Sequence, residues 1–574
     1  MMQKKILIFG ALASSLFLSG CGMLPWSLTA QVPTSSSVQQ GNAGGANSDD
    51  QFIRVIPQAP RRNMTATQLV QGFLDASAAS ESDHAVARMY LTSEAAARWE
   101  PKSGVKVFKG TPELTFSGTK VSFVAQLEGE ISKSGNYAIS QVDTTLNEVF
   151  TLVRENSEWR ISELPQGLEL STVDVQRAYR NLAVYYFNPQ LSTLVPDARM
   201  IPVPGDGLAA GLMQALLAGP SEWLAPAVKD AFPFGVGLNF DRVPIENGVA
   251  IVDLTADAAF ANDGVRREMA QQIVWTLRQV PEVRAVSITS GGQLLAIQGV
   301  PNPIPRDLWP EIDPSGLAQG TQAIVANWTG IFQLTRVGTE RLAGLPTVAN
   351  SALTQVVTNK SSGMLAGLDV LGRVWSTPLD VNPSWSQLPI SQAMQWIEFD
   401  PLGGLWMRDV NGELQVWDAP GPLKSIRTNG LGAGAIVVKA VPSRDGTRAA
   451  LIVQRGKTRS LYLARIEQEI DTGKRTLTGP ERIASSVVSI VDVDWSSANS
   501  LAFIGRNGPG PLQVFDLDLA LGTLVPQGGP DRPDAIAAAP GLPVLVSAKD
   551  GLIYQLDAGA WTSRLTAWSP SYPS

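Results

Sequence analysis

Gly412-Glu413-Leu414-Gln415-Val416-Trp417 and Gly551-Leu552-Ile553-Tyr554-Gln555-Leu556 share one plan: a turn glycine, then a strand in which apolar side chains alternate with others. The plan recurs at Gly330-Ile331-Phe332-Gln333-Leu334, Gly372-Arg373-Val374-Trp375, Arg459-Ser460-Leu461-Tyr462-Leu463 and Gly510-Pro511-Leu512-Gln513-Val514-Phe515. Successive copies start 42, 40, 47, 51 and 41 residues apart, close to the length of a four-stranded propeller blade. One such unit cannot hide its apolar face alone. Six arranged radially would bury a common core and leave only short edges. Asn411-Gly412 and Asp550-Gly551 are expected to form two-residue hairpin turns that twist with their strands. The expectation for residues 310–574 is therefore an all-β propeller of about six blades, with an open β-sandwich of irregular repeats as its rival. The fourth copy is the weakest, since it lacks the glycine.

Ahead of the repeats, two α+β units are expected, which makes the fold class multidomain: α+β, α+β, then all-β. Residues 169–302 hold the better-defined one. Leu208, Leu212, Ala215 and Leu216 line one helical face that Gly219-Pro220 stops, as a C-terminal glycine and following proline should. Val243–Glu246 and Val249–Leu254 flank Asn247-Gly248, a preferred hairpin turn. Gly264 to Gln279 places Val265, Met269, Ile273 and Leu277 on one stripe, and the strand Ala285–Thr289 closes on Gly291-Gly292. The phrases Ala215-Leu216-Leu217-Ala218-Gly219-Pro220-Ser221, Val249-Ala250-Ile251-Val252-Asp253-Leu254 and Gln272-Ile273-Val274-Trp275-Thr276-Leu277 resemble the GerMN domain of sporulation and cell-envelope proteins.

Residues 61–168 read as helices followed by a meander. Thr67 is positioned to cap a helix carrying Val70, Phe73 and Leu74, and a second helix is expected from His84 to Trp99. Strands are expected at Val105–Phe108, Leu114–Leu127, Thr145–Arg154 and Trp159–Ile161. The order, ending on Trp159-Arg160-Ile161-Ser162, resembles the small NTF2-like modules of bacterial lipoproteins.

The N-terminus sets the compartment. Lys4 and Lys5 precede an apolar run from Ile6 to Leu18, and Leu18-Ser19-Gly20-Cys21 follows. This is the layout of a secretory signal, too short to span a bilayer comfortably. The ending resembles the bacterial lipobox, at which the thiol receives diacylglycerol and the chain is cut before the cysteine. Residues 1–20 are thus expected as signal peptide and Cys21 as the lipid attachment site; a plain signal with a chance cysteine is the alternative. Cys21 is the only cysteine among 574 residues, so acylation would leave no thiol for a disulfide, a metal or catalysis. Residues 21–60, rich in Ser, Gln, Gly, Ala and Asn, bury too little to fold alone and read as a tether.

Lipobox, tether, NTF2-like module, GerMN domain and propeller, in that order, resemble the actinobacterial LpqB lipoprotein family. The resemblance implies a membrane-anchored extracytoplasmic accessory of the sensor histidine kinase of the Mtr two-component system, acting on cell-wall homeostasis and division. By position, the N-terminal pair of domains would meet the kinase while the propeller faces the wall, and cell-wall components are further expected partners. An envelope scaffold for wall assembly or lipoprotein transport is the second reading.

An enzyme is the third reading, and the chain offers it little. Charged residues make up 17 % of the sequence and the net charge is −7, which argues against a nucleic-acid surface. His84 is the sole histidine, expected in an exposed or capping place, so no histidine pair exists for a zinc motif. Ser117-Gly118-Thr119-Lys120 and Lys133-Ser134-Gly135-Asn136 imitate motifs of penicillin-binding enzymes, but they fall within 20 residues of expected hairpin and two of the motifs share atoms. Asp516-Leu517-Asp518 begins like a calcium loop and lacks its later ligands. No catalytic residue, metal or cofactor is assigned.

Overall fold

The computed structural model describes residues 57–79, 83–140, 143–203, 207–346, 353–359, 361, 363–379 and 384–574, so the expected signal, Cys21 and nearly all of the tether lie outside the described residues. From Ile53 onward the chain forms one compact body.

The first α+β unit starts with α1 (Ala66–Ser77). Thr65, not Thr67, is its N-cap: Thr65 accepts from the Gln68 N–H while Gln68 reaches back to the Thr65 N–H, a reciprocal box that Thr67 lacks the spacing to make. The helix expected over 84–99 is two short helices, α2 (Ala85–Arg88) and α3 (Ser93–Arg98). Between them, Thr92 donates its N–H to the Ile161 carbonyl and its hydroxyl caps α3, which leaves no continuous ladder across the joint. The strands are β1 (Gly104–Ser117), β2 (Lys120–Ser132), β3 (Tyr137–Ile139), β4 (Thr145–Glu155), β5 (Glu158–Glu163) and β6 (Leu168–Ser171). The single strand expected over Leu114–Leu127 is broken at Gly118-Thr119, where Gly118 takes φ +63° and turns the chain back, pairing Ser117 with Lys120. β6 runs parallel to β1, with Lys106 opposite Glu169. Helix α4 (Thr172–Ala178) then leads into the next unit.

The second unit contains the hairpin β7 (Tyr179–Phe187) and β8 (Leu194–Pro202), helix α5 (Leu208–Leu217), β9 (Ile245–Glu246), β10 (Val249–Leu254), helix α6 (Asp263–Leu277) and β11 (Ala285–Ser290). Asn247 and Gly248 both take positive φ, 53° and 83°, as the expected two-residue turn demands. β10 and β11 are parallel and in register from Val249–Ala285 to Leu254–Ser290. Leu212 and Leu216 of α5 and Met269, Ile273 and Leu277 of α6 are fully buried against this sheet.

Among the described residues from 324 onward six sheets follow, here called blades 1 to 6; the expected ring holds. Each quoted repeat is the third strand of its blade, counted from the axis. In blade 4 the turn glycine is Gly456, three residues before Arg459, because the strand starts earlier, at Thr458. The hairpins at Asn411-Gly412 and Asp550-Gly551 are not two-residue turns. Only the glycines take positive φ, and Gly412 donates to the Asp409 carbonyl while the Asp409 carboxylate accepts the Glu413 N–H at 2.8 Å. A three-residue loop ending on a left-handed glycine gives the aspartate that bond. Blade 1 is closed by the last strand, Trp568–Ser571, pairing with Ile324–Asn327.

Candidate functional site

The innermost strands are Leu353–Asn359, Met394–Phe399, Ala435–Pro442, Val487–Ser497, Pro533–Ala537 and Trp568–Ser571. Together they surround a cavity of about 430 Å³ on the propeller axis. Several of the polar side chains that line it stitch one blade to the next. Ser569 Oγ accepts the Val356 N–H, and Gln355 exchanges two bonds with the backbone of Ile397. Asp492 holds Lys439 at 2.5 Å and accepts the Ile536 N–H, and Asp494 accepts the Ala538 N–H. Such bonds give buried polar groups their partners and lock the ring.

Among the charges outside that stitching are Glu398 and Arg444. Among the described residues, Glu398 accepts only the N–H of its neighbour Phe399, at 3.3 Å. Burial, with Asp494 and Asp492 adding to it and Lys439 opposing, pushes its carboxyl up to about 8. Arg444 donates to the Pro573 carbonyl, and burial lowers its guanidinium from the ordinary value. Burial also works against the Lys439 ammonium, but Asp492 and Glu398 outweigh it and hold the group above its usual range. Glu398, Asp492 and Asp494 thus stand among Lys439 and Arg444, with Asp534 and Arg408 also in the lining, an arrangement suited to holding charge. The alternation in Val491-Asp492-Val493-Asp494 is the sequence signal that could have disclosed this lining, since acids two apart in a strand share one face.

The second unit docks on blade 4. Trp223 donates its indole N–H to the Gly479 carbonyl at 2.9 Å, Arg465 donates to the Trp223 carbonyl at 2.6 Å, and Gln190 meets Gln468 at 2.9 Å. Asn188 reaches the Asp445 carbonyl, in the turn that follows that blade's innermost strand. The turns at the opposite end of blades 1 to 3 expose Trp328, Val370, Leu371 and Val410.

The other residues singled out in the sequence do not converge. His84 is not exposed; it stands at the N-cap position of α2 but makes no side-chain cap bond, and it is 7 % exposed, takes φ +56° and packs edge-on against Trp99 at 5.7 Å. Burial lowers its pKa, more than Asp83 raises it. Ser117 and Lys120 flank the β1–β2 turn, while Ser134 bonds Ser132 and Asn136 within the β2–β3 loop. Asp516 accepts from Ser496, and Asp518 caps its own turn through Ala520 and Leu521. Among the described residues no group of three or more His, Cys, Asp or Glu is placed to hold a metal ion, and no helix is long and apolar enough to cross a membrane.

Three family profiles match the chain in order: "Lipoprotein LpqB, N-terminal domain" over residues 59–176, "Sporulation and spore germination" over 183–296, and "Lipoprotein LpqB beta-propeller domain" over 422–573. Relatives named Lipoprotein LpqB include one from Thermobifida fusca, 26 % identical, covering 97 % of each chain. Another, from Cutibacterium acnes, is 26 % identical over 86 % of this chain and 85 % of its own. A third, from Rhodococcus opacus, is 27 % identical over 86 % of this chain and 83 % of its own. Among solved structures, TolB from Acinetobacter baumannii aligns with 44 % of this chain and 67 % of its own at 13 % identity, with a TM-score of 0.34. That likeness is remote, and the propeller assignment rests on strand order.

Proposed function

Since the chain belongs to the LpqB lipoprotein family, we propose that it is a lipid-anchored extracytoplasmic protein that acts as a non-enzymatic adaptor of a sensor histidine kinase. The observation that carries the reading is the order of the three profile matches in this chain, together with its alignment to relatives named Lipoprotein LpqB over nearly the whole length. The anchor is Cys21, whose place after Leu18-Ser19-Gly20 fits acylation. Two or more acyl chains hold a protein where a single one gives only reversible binding. Replacing Cys21 by Ser is expected to move the protein from the membrane fraction to the soluble one and to abolish palmitate labelling; a Cys21→Ser protein that stays membrane-bound and labelled would remove the anchor from the reading.

The adaptor role draws support from surface. One rim of the propeller carries exposed Trp328, Val370, Leu371 and Val410, and apolar exposure of this kind suits a binding face. Binding shifts a kinase equilibrium only by the difference in affinity between its states. Crosslinking of the lipidated protein in cells, followed by mass spectrometry, tests the partner. Capture of a sensor kinase's extracytoplasmic segment is the expected result. Capture of wall-synthesis or transport proteins without the kinase would replace the adaptor with a scaffold.

A further inference from the structure

Among the described residues, three phenylalanines are more than half exposed, and all three belong to the second unit: Phe234 at 106 %, Phe260 at 86 % and Phe240 at 58 %. Phenylalanine normally contributes to cores, so three left in water together call for a cause. The topology puts them at one end of the unit. β10 and β11 are parallel, so Leu254 and Ser290 finish at the same edge, and three loops meet there. One runs through 232–241 with Phe234 and Phe240, one is the short helix Ala256–Phe260, and one is the turn after β11 that brings Leu294, 54 % exposed.

These loops are held, not slack. Asp253 at the end of β10 accepts from Thr289 at 2.6 Å, from the Gly292 N–H at 2.8 Å and from Asn239 at 2.7 Å. Thr255 exchanges bonds with Gly237, its N–H to that carbonyl at 2.9 Å and its hydroxyl from that N–H at 3.2 Å. The aromatic tips are therefore presented by a braced edge, with Phe234 wholly outside the protein envelope. Tips on separate loops suit a medium that conforms to them, and aromatic side chains at a lipid interface bury their rings without needing a shaped pocket. A bilayer is also within reach: Cys21 precedes the first described residue, Pro57, by 36 positions, which span at most about 130 Å of chain.

We infer that the loops at the carboxyl ends of β10 and β11 rest on the lipid bilayer, with Phe234, Phe240, Phe260 and Leu294 entering its interface. The inference rests on the proposed anchor at Cys21 and goes beyond it: the lipid tethers, while this edge fixes which side of the body faces the membrane.

The lone cysteine makes the test clean. With the Cys21 thiol taken by lipid, Phe234→Cys and Phe260→Cys each supply a single labelling site on the full lipidated chain. Asp531→Cys, at a side chain 97 % exposed on the propeller, is the aqueous control. Each nitroxide-labelled protein is reconstituted on vesicles of phosphatidylglycerol and phosphatidylethanolamine, and its collisions with oxygen and with a water-soluble nickel chelate are measured after flotation. The expected result is a loss of nickel collisions with oxygen collisions retained at 234 and 260, and full nickel access at 531. Nickel access at 234 and 260 equal to that at 531, in protein that floats, overturns the contact and leaves the anchor standing. Protein that fails to float overturns both.

Discussion

Glu169 stands in an environment that its type does not prefer. It is 3 % exposed in β6, and among the described residues its Oε1 has no hydrogen-bond partner. Across the strand pair stands Lys106, but that ammonium is committed to Glu148. Burial first, then the Glu148 charge, with Lys106 opposing, push the Glu169 carboxyl up to about 8 from an ordinary value of 4.5. Between those two values the folded chain keeps a proton that the unfolded chain has released. Stability therefore falls as pH rises through that window, and the loss is complete above about 8. Glu169→Gln is expected to leave stability nearly unchanged at pH 5 and to raise it by roughly 3–5 kcal/mol at pH 9. Denaturant melts of both proteins across that range check it, and parallel pH profiles would refute the buried charge. None of this was legible in Leu168-Glu169-Leu170, which reads as an ordinary alternating strand end. His84 hid in the same way. A polar residue in a polar stretch gives no sign that tertiary packing will close over it.

At the scale of elements, local pattern disclosed what is locally determined. The third strand of five blades announced itself through its glycine and alternation, that of blade 4 through alternation alone, and Asn247-Gly248 specified its turn. The closing strand did not. Trp568-Ser569-Pro570-Ser571 is short and carries a proline, and it is a strand because it pairs with residues some 240 positions earlier, at Ile324 and Ala326. Trp568 bears much of that closure. Its ring meets Trp328 edge-on at 4.7 Å, and its indole N–H donates to the Leu353 carbonyl of blade 2 at 2.7 Å. Trp568→Ala is expected to destabilise the propeller by about 2–4 kcal/mol, through lost packing and an orphaned carbonyl. Trp568→Phe keeps the ring and is expected to lose only about 1 kcal/mol, the net worth of one hydrogen bond. Equal losses in the two variants, read from denaturant midpoints, would show that the hydrogen bond and not the ring closes the blade. The channel lining was half legible by the same logic. The Asp492 and Asp494 alternation was there to be seen, while Glu398 and Arg444 meet only because the ring folds them onto one axis.

The part of the chain from Ile53 onward is one body because its joints are polar locks backed by packed linkers. The Met200 N–H donates to the Gly135 carbonyl at 2.7 Å, fastening the second unit to the first. The chain leaving the second unit stays in that unit's core through Trp309 and Ile312 before it enters blade 1. Trp223 then pins the second unit to blade 4, with its N–H on Gly479, its carbonyl on Arg465, and the Arg465 guanidinium 5.6 Å from its ring. Rigidity here has a functional consequence. If the β10–β11 edge rests on the membrane, a stiff joint holds the propeller at a fixed angle to it, and any partner docked on the propeller rim meets a fixed orientation instead of a swinging one. Trp223→Ala removes the donor and the face under the guanidinium while leaving both cores intact. The expected outcome is a larger radius of gyration by small-angle scattering and a separate, earlier melting step for one unit, with each unit's own fold preserved by circular dichroism. An unchanged radius and a single transition would instead assign the joint to the linker, where Trp309 is 6 % exposed and Ile312 is 5 % exposed. Trp309→Ala would then be the change that frees the propeller, because its cavity opens in the second unit's core and the Trp223 contacts alone cannot hold two bodies that the chain no longer aligns.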